Sequence, residues 1–158
     1  MHLPGKKIFL RSVEPADADT LYKWENDKSL WNVSGTKRPF TKKEIKVFIQ
    51  DQKDVYLDKQ LRLMICSQET TIGCIDLFEF DGKKAGVGIL IDKKYRDKGF
   101  ASDALRVLIK YSFDVLNLQE LNCTISEDNK TSIRLFQKHK FKITDQEKSK
   151  LHLLLERK

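Results

Sequence analysis

Cysteine, proline and histidine are all scarce in this chain, with three of each among 158 residues. The three cysteines, Cys66, Cys74 and Cys123, are odd in number, and each lies in an apolar, strand-like stretch. That excludes a framework in which every cysteine is paired, and they read as small buried hydrophobes. No Cys-x-x-Cys pair occurs and His2, His139 and His152 are scattered, so no metal site is expected. So few prolines, with 40% hydrophobic residues, exclude a disordered or fibrous chain. No apolar run approaches the roughly 20 residues of a membrane-spanning helix. The opening Met1-His2-Leu3-Pro4-Gly5-Lys6-Lys7 lacks the apolar stretch of a secretory signal. The expected address is cytoplasmic, with no membrane partner.

What is present fits one domain spanning 1–158, long enough to bury its own core. Lys and Arg outnumber Asp and Glu by 30 to 23, a net charge of +7. Such an excess suits an anionic partner, either nucleic acid or a phosphorylated cofactor. The basic residues are interleaved with acids, and no basic face with exposed aromatics stands out, so no nucleic-acid partner is expected.

Periodicity divides the chain into alternating elements. Lys7–Val13 alternates as a strand, and Glu14-Pro15 opens a helix whose apolar face carries Leu21 and Trp24. Leu30-Trp31-Asn32-Val33-Ser34-Gly35 reads as a loop. Thr41-Lys42-Lys43-Glu44 has capping-box spacing, and Ile45, Phe48 and Ile49 then form an apolar stripe. Leu61–Cys66, Thr71–Phe80 and Ala85–Asp92 read as strands, the last two joined at Asp81-Gly82 as an antiparallel hairpin. A long helix covers Phe100 to Leu116, then a strand Leu121–Ile125, a helix Lys130–Lys138, and strands Phe141–Thr144 and Leu151–Leu155. The order predicts an α/β (α+β) domain, a mixed sheet of about seven strands flanked by about four helices.

The chemistry concentrates where the strand Ile89-Leu90-Ile91 ends in Asp92-Lys93-Lys94-Tyr95-Arg96-Asp97-Lys98 and a helix begins at Gly99-Phe100-Ala101-Ser102. The first helical turn has four amides without intrahelical partners, and the macrodipole adds positive charge there. Gly99 allows close approach of a ligand, Ala101 keeps the next position small, and Arg96 and Lys98 bring charge. Such a turn binds a phosphate or pyrophosphate, although a glycine here also serves a plain strand-to-helix turn.

Arg96-Asp97-Lys98-Gly99-Phe100-Ala101 resembles the Arg/Gln-x-x-Gly-x-Gly/Ala motif of the GNAT N-acetyltransferase superfamily. A second block, Asn129 to Phe141, is similar to that family's Asn-containing helix block. Phe9 to Ala18 and Trp24-Glu25-Asn26-Asp27 resemble the branch that holds ribosomal-protein and polyamine acetyltransferases. The resemblance spans essentially the whole chain, and implies a mostly antiparallel single-domain GNAT fold.

The resemblance also implies acetyl-CoA as cofactor and direct transfer to a primary amine, a small molecule or a protein N-terminus. Amides at Arg96, Asp97, Lys98, Gly99, Phe100, Ala101 and Ser102 would hold the pyrophosphate. A splayed, bulged strand at Ile89, Leu90 and Ile91 would pair with the pantetheine arm and supply an oxyanion donor. Asn129, with Ser132 and Phe136, would close the other side. Family members commonly pair as homodimers. Phe136 stands where many relatives have an acidic Tyr, and a phenyl ring donates no proton. Ala85-Gly86-Val87-Gly88 lacks the Glu that many relatives carry, which leaves Asp76 or Glu79 as candidate base. Those two departures keep a non-catalytic acyl-CoA-binding module as the alternative. Trp24, Glu25 and Trp31 are the candidates for gripping a cationic acceptor, with a core role for Trp24 as the competing reading.

Overall fold

The computed structural model describes residues 1–27 and 39–158. The expected loop at Leu30–Gly35, and Trp31 with it, lies outside the described residues. Eight strands and five helices are described: β1 (His2–Pro4), β2 (Phe9–Ser12), α1 (Ala18–Glu25), α2 (Lys42–Asp51), α3 (Val55–Asp58), β3 (Leu61–Ser67), β4 (Thr70–Phe78), β5 (Lys84–Ile91), α4 (Phe100–Asp114), β6 (Glu120–Ser126), α5 (Lys130–Lys138), β7 (Lys142–Glu147) and β8 (Lys150–Glu156). Two elements escaped the periodicity. β1 is three residues long, and α3 is a single turn capped by the Asp54 side chain and stopped by Lys59 in the left-handed region.

Local chemistry explains the main boundaries. Thr41 Oγ1 accepts from the Glu44 amide and Glu44 returns a bond to the Thr41 amide, closing the box that starts α2. The Asp81 side chain accepts from the amides of Lys83 and Lys84, and Gly82 has φ +87°, so the β4–β5 hairpin turns where Asp-Gly stands. α1 follows a short 3₁₀ turn at Pro15–Asp17. Arg11 pins that turn with a two-pronged bond to the Asp17 carboxylate at 2.8 Å on each arm.

All eight strands form one sheet, ordered β1-β2-β3-β4-β5-β6-β8-β7. Every neighbouring pair is antiparallel except β5–β6. One sheet face turns Leu63, Ile65, Ile75, Leu77, Val87, Leu121 and Leu153 toward Leu105 and Leu108 of α4 and Ile133 and Phe136 of α5. The other packs Met64, Cys66, Cys74 and Leu90 beneath Leu21 and Trp24 of α1 and Ile45 and Ile49 of α2. All three cysteines are free and buried, and burial pushes the Cys74 and Cys123 thiols up to about 12. Among the described residues no helix is long and apolar enough to cross a membrane.

One carboxylate ties the start of β2 to the first turn of α4. Asp103 is buried, and its Oδ2 accepts from the amides of Lys7 and Ile8 at 2.7 and 3.1 Å while Oδ1 accepts from Arg106 at 2.9 Å. Burial alone raises this carboxyl, but the Lys7 amide, Arg106 and the Ile8 amide outweigh it and hold the pKa below its ordinary value. Asp103→Ala leaves two amides without their acceptor and should cost about 1–3 kcal/mol in urea unfolding at pH 7. Because the folded pKa is depressed, the wild-type advantage is complete above the ordinary carboxyl range. It fades as pH falls through the folded value, so the two proteins converge in acid.

Candidate active site

The parallel ladder between β5 and β6 holds for three residue pairs, Lys84↔Glu120, Ala85↔Leu121 and Gly86↔Asn122. Beyond Gly86 the strands part, while β5 stays paired with β4 without a register shift as far as Gly73↔Ile91. The splay therefore arises without the expected bulge in β5. The register shifts sit instead at Ile65/Cys66 and at Ile143/Asp145. Gly86 is held small by the Phe78 ring, which an added Cβ would strike, whereas a Cβ on Gly88 would meet only ordinary contact.

The split leaves backbone groups unclaimed. The Asp92 amide donates across to the Ile72 carbonyl of the β4 side at 2.8 Å. Strand amides alternate in direction, so Leu90 and Gly88 also face β4, while Ile91 and Ile89 face the gap. Arg96 Nε donates to the Ile91 carbonyl at 3.1 Å, which places that carbonyl on the gap side. The backbone of Ile89 and Ile91 faces the side on which the resemblance placed the pantetheine arm. Leu90 does not: its side chain is buried on the other sheet face and its backbone belongs to β4.

Below the split, a cavity of about 420 Å³ opens between β5, the start of α4 and α5. Arg96, Asp97, Gly99, Phe100, Ala101 and Ser102 line it, with Asn129 and Ser132 opposite. Asp97 at φ +61° and Gly99 at φ +83° bend the loop into a concave run of amides at the N-terminus of α4. Lys98 does not line the cavity; its carbonyl accepts from Lys7 Nζ at 3.1 Å. Ser102 Oγ sits 2.9 Å from His139 Nε2, and burial, with Lys138 and Arg106 nearby, lowers the pKa of that imidazole. Asn129 Oδ1 caps α5 through the Ser132 amide, which leaves its NH₂ as the donor end. Phe136, packed edge-on to Phe141, walls the narrow part of the cleft beside Val87, Gly88 and Ile89. Tyr95, Thr131 and Leu135 also line the cavity without having been picked out from the sequence. Tyr95 lay inside the basic turn itself.

On the opposite face a groove of about 300 Å³ runs over β6 and β8, lined by Glu79, Lys84, Glu120, Thr124 and His152. Thr124 and Cys123 also line the cleft, so cleft and groove lie against the same stretch of β6. Asp76 is level with the split as the cross-strand partner of Gly88, but its carboxylate is engaged, and Glu79 is displaced along the strand. Asp76 is held by Arg62 through Nε and Nη2 at 2.9 and 2.8 Å, and Arg62 Nη1 reaches Glu25 at 2.9 Å. Burial disfavours the Arg62 charge, but Asp76 and Glu25 outweigh it and raise that pKa well above its usual value. Glu79 lies past the last β4–β5 pair, Phe78↔Gly86, on the closed side. That is three residues, or about 10 Å, of strand from the level of Gly88.

The acceptor contacts expected of α1 need correction for the same physical reason. Glu25 is buried against Arg62, and Trp24 is 3% exposed with Nε1 donating to Asp92 at 3.1 Å. Both fasten α1 to the sheet. Among the described residues, Phe78 is an exposed aromatic on this face, 38% exposed above Gly86. Among the described residues no three His, Cys, Asp or Glu side chains cluster in a way that could hold a metal ion.

Comparison with known proteins matches residues 7–142 to the acetyltransferase (GNAT) domain family. The chain is 30% identical over 159 residues to the uncharacterized N-acetyltransferase p20 of Bacillus licheniformis, covering 94% of this chain and 89% of that protein. It superposes on spermidine N-acetyltransferase from Vibrio cholerae, solved with CoA and spermine, with TM-score 0.86 at 17% identity, covering 95% of each chain. The ribosomal L7/L12 α-N-protein acetyltransferase RimL, solved with coenzyme A, matches with TM-score 0.83 at 14% identity, covering 99% of this chain and 98% of that one.

If the Glu25–Arg62–Asp76 cluster is a fastening, Arg62→Met should strand two partly buried carboxylates and destabilise the fold by about 3 kcal/mol. Asp76→Asn should lower the melting temperature while leaving the turnover of the folded fraction near wild type. A large fall in kcat for Asp76→Asn, with its stability unchanged, would return Asp76 to the reaction.

Proposed function

The chain belongs to the GNAT acetyltransferase family, and on that premise we propose that residues 1–158 act as one domain that transfers acetyl from acetyl-CoA directly to a primary amine. The observation that carries this reading is the split beside β5, where the amides of Ile89 and Ile91 are turned away from β4 into the gap. An extended pantetheine arm matches such an edge as a further strand would. The concave amide run at Asp97–Ala101 and the dipole of α4 suit its pyrophosphate, with Arg96 adding charge. Bound there, acetyl-CoA supplies the activated acyl group.

The protein's own part is to orient and to stabilise charge. A free strand amide aimed at the thioester carbonyl stabilises negative charge as the amine attacks. Two substrates held on opposite sides of one gap need no protein nucleophile, and the buried thiols of Cys74 and Cys123, with their raised pKa values, are poorly suited to be one.

A polyamine or a peptide N-terminus is the acceptor we favour. The groove offers Glu79 and Glu120 at a distance from the split, and Phe78 beside it, which suits a chain that carries a second positive charge beyond the reacting amine. Glu79 then acts by pairing with that remote charge. The named relatives that act on spermidine and on a protein N-terminus support the same choice.

The test is binding at the loop. Acetyl-CoA at 100 times its dissociation constant should stabilise the wild-type protein by about 2.7 kcal/mol, seen as a rise in melting temperature. Gly99→Glu forces a side chain onto a φ +83° position and sets a carboxylate at the phosphate site. It should abolish the rise. A full shift in that variant would refute the loop as the nucleotide site.

A further inference from the structure

Acetyl transfer to an amine must take one proton from nitrogen and deliver one to sulfur. Phe136 has no proton to give, Asp76 is engaged by Arg62, and Glu79 is remote from the split. One hydrogen-bonded pair does stand at the split. Thr124 and His152 are direct cross-strand partners on β6 and β8, with Thr124 Oγ1 3.1 Å from His152 Nδ1. Counting on from Gly86↔Asn122, Thr124 lies level with Gly88, two residues beyond the last closed pair. Thr124 lines both the cleft and the groove, and His152 lines the groove. A Thr–His pair on an exposed sheet face merely stabilises the sheet when nothing reactive is near it; this one stands level with Gly88, where β5 and β6 have parted, and its Thr124 lines both cleft and groove.

We propose that Thr124 and His152 are catalytic residues forming a proton relay from the acceptor amine to the departing thiolate, a proposal that rests on the acetyl-transfer reading. His152 carries its proton on Nδ1 and donates it to Thr124 Oγ1. That leaves Nε2 as an acceptor toward the groove and frees the Thr124 hydroxyl hydrogen for the cleft. As the N–C bond forms and the C–S bond breaks, Nε2 takes the amine proton, Nδ1 passes its proton to Thr124 Oγ1, and the Thr124 hydroxyl proton goes to sulfur. The products are an amide and a free thiol, with no net gain or loss of protons. His152 ends with its proton on Nε2 and resets through exchange with solvent, to which it is partly exposed. The charged groups sharing the groove with it are Glu79, Lys84 and Glu120.

Two measurements test the relay. In the ligand-free protein, long-range proton–nitrogen NMR should find neutral His152 protonated on Nδ1; the Nε2-protonated form would overturn the proposal. Turnover is then followed by release of free CoA from acetyl-CoA with spermidine or a short peptide with a free N-terminus. Thr124→Val and His152→Asn should each lower kcat by about 10–100-fold, with the KM for acetyl-CoA unchanged. Thr124→Ser should restore most of the rate. The double variant should fall no further than the worse single one, as members of one relay do. Wild-type kcat in either single variant, or losses that simply multiply, would overturn the relay and leave the transferase reading standing. If the wild-type protein binds acetyl-CoA yet releases no CoA with either amine, the transferase reading fails and the relay falls with it.

Discussion

A parallel strand pair that stops hydrogen-bonding after three residues organises this molecule. Sheet edges in the interior of a fold are costly, because each unpaired amide and carbonyl must find a partner. Here β5 keeps every bond to β4 on one side and offers Ile89 and Ile91 to the gap on the other. Arg96 satisfies one of those orphaned carbonyls, that of Ile91. The remaining edge is the feature on which the proposed seat for an extended acyl carrier rests.

The helices on either side of the gap share one core. α4 contributes Leu105 and Leu108 to it and α5 contributes Ile133 and Phe136, packed to the density of a protein interior. Asp103 fixes the first turn of α4 to the start of β2, and with it the amide run at Asp97–Ala101. On the opposite face, the Arg62 fork and Trp24 anchor α1 over β3, β4 and the end of β5. Among the described residues, the sheet beyond, over β6 and β8, carries the groove. The proposed cofactor and acceptor sides thus correspond to the two faces of a single sheet, which the described helices cover unequally.

The chain's local signals were readable wherever one or two side chains decide the backbone. Thr41 with Glu44, Asp81 with Gly82, and Gly99 at a left-handed helix start each needed only neighbours a few residues away. Periodicity also ordered most of the elements, and the family resemblance added the proposed cofactor loop. What stayed hidden depends on contacts distant in sequence. Glu25 and Asp76 looked like free carboxylates until Arg62, 37 and 14 residues away, was seen to hold both. Trp24 could equally face solvent or core on periodicity alone, and burial decided it. Leu90 shares a strand with Ile89 and Ile91, but alternation sends its backbone to β4. Thr124 and His152 are ordinary strand residues in the sequence, and only the β6–β8 register joins them beside the gap.

The account stands on the amides of Ile89 and Ile91 being vacant bonding positions that an extended acyl carrier fills. Residue-resolved hydrogen exchange, with and without saturating acetyl-CoA, reads this directly. Exchange at Ile89 and Ile91 should slow when the ligand is added, while Leu90, already bonded toward β4, should keep its rate. Unchanged exchange at Ile89 and Ile91 in a protein saturated with acetyl-CoA would contradict the split as the ligand's seat.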